Sequence, residues 1–112
     1  MTREPEPERR DASTNGSVFL RIPMSERTRR GRIVACLLEL DSEGYIPREI
    51  DVIEGDVPVR VTRPGEYGQW NDAPMPRVAP GTPEFRERWR GAVEISTAEF
   101  EGIYQLADRT LR

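Results

Sequence analysis

The chain contains no histidine and no lysine, a single cysteine and no long apolar run. Each gap closes off a class of chemistry. Without histidine, the Ser–His and Cys–His pairs that activate a nucleophile cannot be built. Cys36 has no second cysteine to pair with, and within the apolar string Ile33–Leu40 it reads as a small buried hydrophobe. No cluster has zinc-ligand spacing and no glycine loop is placed to cradle phosphate. Asp41-Ser42-Glu43-Gly44 lacks the ligand pattern of a calcium loop. No segment approaches the ~18 apolar residues needed to cross a bilayer, and the N-terminus has no apolar signal region. The expectation is a cytoplasmic protein without a membrane partner, a cofactor, a metal ion or a catalytic residue.

What the chain does have is charge. Twenty acidic residues face 17 arginines in 112 residues, for a net charge of −3. That balance argues against a nucleic-acid partner. The exclusive use of arginine reads as compositional bias of the genome rather than a special use of guanidinium. Residues 1–16 hold no aliphatic side chain larger than alanine after Met1 and mix charge with proline and glycine. A segment of this kind cannot offset the entropy of ordering, so it is expected to be a disordered tail, leaving 17–112 as a single small domain.

Periodicity places the elements. Ile33–Leu40 is apolar except for Glu39 and suits a buried strand. Asp41–Gly44 supplies hairpin-turn chemistry, with Gly44 in the left-handed conformation. From Tyr45 to Ile53, Arg48, Ile50 and Val52 share one face while Glu49 and Asp51 share the other. After a turn at Glu54-Gly55-Asp56, Val57, Val59 and Val61 alternate with Pro58, Arg60 and Thr62. The result is a three-stranded antiparallel meander with one apolar face. Val18–Ile22, ended by Pro23, is a candidate fourth strand, and Ser25–Arg32 a polar connection carrying four arginines. Thr82-Pro83-Glu84 caps a short helix whose Phe85 and Trp89, four apart on one face, read as core residues. Ser96-Thr97-Ala98-Glu99 is a capping box, and Phe100, Ile103, Tyr104 and Ala107 form the stripe of a C-terminal helix. The fold class expected is α+β: a three- to four-stranded antiparallel sheet covered by the C-terminal helix, with a short helix before it.

Several short strings resemble a family of small bacterial proteins that share a domain of unknown function. They are Glu39-Leu40-Asp41, Arg48-Glu49-Ile50-Asp51, Gly55, Pro74 and Pro76, Pro83-Glu84-Phe85, and Ile95-Ser96 with Glu99-Phe100-Glu101. Members carry Trp and His just after their first strand, where Arg21-Ile22-Pro23 stands here. The resemblance implies an α+β fold and no activity; by analogy it points to immunity proteins of bacterial toxin systems.

Two features bear on function. Between Glu39 and Asp56 seven carboxylates stand against Arg48 alone. They form either a solvated face or, with Glu49 and Asp51 pointing outward, an acidic surface that docks a basic protein. The loop Arg63–Gly81, rich in proline and glycine, carries Tyr67 and Trp70, which either plug the sheet or serve as exposed anchors. Glu49, Asp51, Tyr67 and Trp70 are therefore the candidate binding residues. The preferred reading is non-enzymatic, immunity-like protein binding. The alternative is a small enzyme or ligand-binding domain with a carboxylate-containing site under the 63–81 loop.

Overall fold

The computed structural model describes residues 17–71 and 77–111. The tail expected over residues 1–16 and the centre of the long loop, residues 72–76, lie outside the described residues. The α+β expectation holds. One open antiparallel sheet has the order β4-β3-β2-β1-β5, built from β1 (Val18–Thr28), β2 (Gly31–Leu40), β3 (Arg48–Ile53), β4 (Val57–Thr62) and β5 (Val93–Ile95). A short helix α1 (Pro83–Arg88) precedes β5, and the C-terminal helix α2 (Thr97–Thr110) follows it.

Two details differ from the strand count read in the sequence. β1 does not stop at Pro23: its register with β2 shifts between Pro23 and Glu26 and then resumes to Thr28. Pro23 itself pairs with Ala35 and lies past Arg21, the last residue paired with β5; the bulge follows it, before Glu26. The supposed connection Ser25–Arg32 is thus the closed end of a β-hairpin. The fifth strand, β5, pairs with β1 only at Phe19, Leu20 and Arg21, too short a run to show alternation.

Strand β2 is central, and its alternate residues feed two cores. Ala35 and Leu37 join Phe19, Ile50 and Val52 beneath Phe100 and Ala107 of α2. Cys36, Leu38 and Leu40 join Leu20 and Ile46 on the opposite face, beneath Trp70, Phe85, Trp89 and Ala92. The sheet is therefore covered on both sides, where the sequence reading gave it one apolar face. A near-continuous apolar strand is what double coverage requires.

Local signals fix the covers. The Glu99 amide donates to Ser96 Oγ at 3.0 Å and the Phe85 amide to Thr82 Oγ1 at 3.1 Å, starting α2 and α1 respectively. Phe100 is fully buried, its ring 4.8 Å from that of Phe19. Gly44 closes the β2–β3 turn at φ +91°, and a Cβ there would stand 2.6 Å from the Val78 carbonyl oxygen. The far end of the long loop therefore packs directly on this hairpin.

Candidate functional site

The segment Arg63–Asn71 follows edge strand β4 and folds over the second face of the sheet. It is tied at both ends. Arg63 Nε donates to Asp108 at 2.6 Å and Nη2 donates to the Leu111 carbonyl at 2.6 Å, so the loop leaves β4 anchored to the end of α2. Within it, the Gly68 amide donates to Asn71 Oδ1 and Asn71 Nδ2 to the Glu66 carbonyl, at 2.6 and 2.9 Å. The inner anchor is Glu49: Oε2 accepts the amides of Trp70 and Asn71 at 3.0 and 2.7 Å. Gly68 lies so close that a Cβ would stand 2.6 Å from Glu49 Oε2 and 2.7 Å from Thr62 Oγ1.

Glu49 and Asp51 do not point into solvent. Alternation assigned them to the correct face, but the loop covers that face, leaving them 3 % and 5 % exposed. Burial is the leading influence on Glu49 and raises its pKa above the ordinary carboxylate value; the amides of Asn71, Trp70 and Gln69 oppose it, and the charge on Asp51 adds to it. Asp51 Oδ2 accepts from Arg60 Nε at 2.6 Å, and Arg60 also reaches Glu26 at 3.2 Å.

Beside them lies Cys36, the cross-strand partner of Asp51. Burial, then the charge and hydrogen bond of Asp51 and the charge of Glu49, push its thiol far above the ordinary range. A thiol held protonated in this way is no nucleophile. Asp51 Oδ1 and Trp70 Nε1 are enclosed without a partner of full hydrogen-bond geometry, and the Cys36 thiol, a weak donor and acceptor, neighbours both side chains.

The remaining carboxylates of the acidic stretch are largely engaged as well. Glu39 accepts from Arg48 Nε at 2.6 Å, and Asp56 accepts from Arg21 at 2.7 Å. Asp41 Oδ1 accepts the amides of Glu43 and Tyr45. Glu43 and Glu54 stay exposed. The seven-to-one excess in sequence is therefore not a seven-charge surface.

Tyr67 and Trp70, left open between plug and anchor, divide. Trp70 is a plug: it packs on the second core with its ring 5.6 Å from Trp89. Tyr67 is 87 % exposed. It stands on the lip of a recess of about 390 Å³ walled by Tyr45, Trp70 and Trp89, with Arg77 and Arg88 also lining it. The Arg77 guanidinium lies 4.1 Å from the centre of the Tyr45 ring. Tyr67 also lines a second hollow of about 490 Å³, with Glu26, Glu49, Asp51, Arg60 and Thr62.

Sequence reasoning missed Tyr45 and Arg77 as recess residues, and Gly68 and Asn71 as the parts that shape the loop. Trp89 was read only as core. The one signal in the sequence was Gly68 two residues before Trp70, a spacing too common to be specific. Among the described residues no three His, Cys, Asp or Glu side chains are grouped to hold a metal ion, and no helix is long and apolar enough to cross a membrane. Comparison of the chain with protein-family models, curated proteins and solved structures gave no match.

Proposed function

We propose that this chain is a protein-recognition domain that seats a partner's side chain in the aromatic recess beside Tyr67. The observation that carries the proposal is Tyr67 itself, 87 % exposed beside a hollow of about 390 Å³. A large ring left in water contributes little to folding, whereas Tyr, Trp and Arg are the residues enriched where binding energy concentrates. The recess is at the small end of ligand-sized cavities, suited to one or two side chains. Glu66 lines the recess, but so do Arg77 and Arg88, so the seat is argued from its aromatic walls and not from the basic partner expected in the sequence. Neutralisation of a toxin, to which the family resemblance points, is the concrete version of this reading.

The test is photo-crosslinking in the native host with Tyr67→p-benzoylphenylalanine. One discrete adduct, lost when Trp89→Ala is added and missing when the probe replaces Glu54, supports the proposal. Identical adducts from both probe positions refute it.

A second reading, a small ligand-binding or enzymatic domain, draws on one observation: Glu49 and Asp51 both line the hollow beneath Tyr67. Against it, the loop amides hold Glu49, Arg60 holds Asp51 Oδ2, and Asp51 Oδ1 is enclosed, so a ligand must displace Arg60 or the loop. Asp51→Asn separates the two readings. It leaves the Tyr67 adduct intact under the first and abolishes a thermal shift by amine or guanidine ligands under the second.

A further inference from the structure

At the opposite end of β2 from the recess, the closed end of the β1–β2 hairpin gathers four arginines: Arg27, Arg29, Arg30 and Arg32. All four are exposed. Arg27 and Arg32 are cross-strand partners, which sets their side chains on one face directly opposite each other. Like charges in that relation oppose hairpin formation, so folding alone does not favour the pattern. The turn between them is nevertheless well defined. Thr28 Oγ1 accepts the Arg30 amide at 3.1 Å and donates to the Gly31 carbonyl at 2.6 Å, Gly31 takes φ +130°, and Arg32 donates to Ser25 Oγ at 2.8 Å.

Among the described residues, the charge of this turn is not neutralised. Arg21, Arg48, Arg60, Arg63 and Arg90 each pair with a carboxylate. No ion pair among the described residues involves Arg27, Arg29, Arg30 or Arg32. The hairpin's two carboxylates are engaged elsewhere, Glu26 with Arg60 and Glu39 with Arg48. A fixed turn thus presents four guanidinium groups, whose planar forks match carboxylates in bidentate fashion.

We propose that the Arg27–Arg32 hairpin end is a docking site for an acidic segment of a partner protein. It is a contact separate from the aromatic recess. Carboxylates are favoured over nucleic acid by the rest of the chain: its net charge is −3 even with these four arginines counted. A long polyanion running along the surface meets that excess acid, whereas a short acidic segment needs only the turn. Screening over about 8–10 Å at physiological salt lets the hairpin act locally.

The probe is a fluorescein-labelled oligoglutamate, with a single-stranded DNA oligonucleotide of equal formal charge as comparison, followed by fluorescence anisotropy on the full chain across a salt series. The expected result is tighter binding of oligoglutamate than of DNA. Arg29→Glu with Arg30→Glu should weaken it by about tenfold or more, while Arg86→Glu with Arg109→Glu should leave it nearly unchanged. Arg29→Ala with Arg30→Ala, which removes charge without reversing it, should shift binding in the same direction and serves if the reversal disturbs the fold. Equal losses from the hairpin and control reversals, or no binding of oligoglutamate at low salt, overturn the proposal. Tighter binding of DNA also overturns it, and assigns the hairpin to phosphate instead.

Discussion

Replacing Glu49 separates its charge from its hydrogen bonds. Its carboxylate is 3 % exposed and accepts the Trp70 and Asn71 amides. Two effects oppose each other: burial favours the neutral acid, and the amides favour the anion. Burial is the larger, so the pKa is raised from 4.5. The folded chain therefore holds this proton more tightly than the unfolded chain. The contribution to stability is complete below the unfolded pKa. It declines as pH rises through the interval up to the folded pKa, and is gone above it. The other displaced groups, Cys36, Arg48, Arg60, Arg63 and Tyr104, start from values of 9.0 to 12.5 and are all raised further, so they do not titrate in this window.

Glu49→Gln removes the charge and keeps one oxygen for the amides; Glu49→Ala removes both. Gln at 49 should be within about 1 kcal/mol of the parent at neutral pH, because the lost charge-assisted bonds are offset by the relieved burial cost. Ala leaves two half-buried amides without an acceptor. At the low end of roughly 1–3 kcal/mol apiece that is a loss of about 2 kcal/mol. For a domain of this size the midpoint falls by about 8–16 °C. The assay is urea unfolding followed by the fluorescence of Trp70 and Trp89, repeated from mildly acidic to neutral pH. The parent should lose stability relative to the Gln variant as pH rises through that range. If Ala proves as stable as Gln, the loop is not anchored by Glu49; if the pH trend is the same in parent and Gln variant, the burial argument fails.

Other outcomes follow from the same structure. Gly68→Ala should destabilise by about 1–3 kcal/mol, since its Cβ meets Glu49 and Thr62 below 3 Å; equilibrium unfolding measures it, and Gly55→Ala, where a Cβ meets nothing within 4 Å, serves as the positive-φ comparison. Arg48→Met should cost about 3–5 kcal/mol by thermal unfolding, because Glu39 at 4 % exposure loses its partner; adding Glu39→Gln should recover much of the loss. Ser96→Ala should cost about 1 kcal/mol in urea unfolding, and Phe100→Ala about 3–5 kcal/mol, with the order reversed only if α2 does not cover the first core. Cys36 should react with a thiol reagent only at the rate of unfolding, measured across a urea series, because it is fully buried and its thiol is held protonated.

The elements that could be read from the sequence are those specified within a few residues. The Ser96 and Thr82 caps, the Gly44 turn and the Phe100 stripe each depend on neighbours along the chain. Phe85 and Trp89 were assigned to a core on helical spacing alone. The second cover was harder to read, yet it had a signal: Ile33–Leu40 has no polar alternation, and a strand solvated on one face would. Glu49 and Asp51 were misplaced because alternation tells which residues share a face and not whether that face is wet. Their burial depends on a loop joined through two backbone amides, and backbone amides carry no side-chain signature. β1 was cut short for a different reason: proline was read as a stop, whereas Pro23 keeps its place opposite Ala35 and the register shift follows it.

The Glu49 anchor also links the two hollows to each other. Trp70 forms a wall of the aromatic recess, and its amide is held by Glu49, which lines the second hollow that Tyr67 also borders. Between them the chain has one compact turn, Gly68 against Glu49 and Asn71 closing back on Gly68 and Glu66. Whatever loosens Glu49 must move Trp70, and with it the surface that Tyr67 overhangs. Trp70 also packs on Trp89, so the displacement reaches α1. Binding at the recess and protonation of Glu49 therefore act on one loop. A partner that needs Trp70 in place should bind Glu49→Gln nearly as well as the parent. Its affinity for Glu49→Ala should fall by the free energy needed to reorder the loop, about 2 kcal/mol or some thirtyfold. Equal affinity for both variants would place the contact on Tyr67 alone, outside the recess.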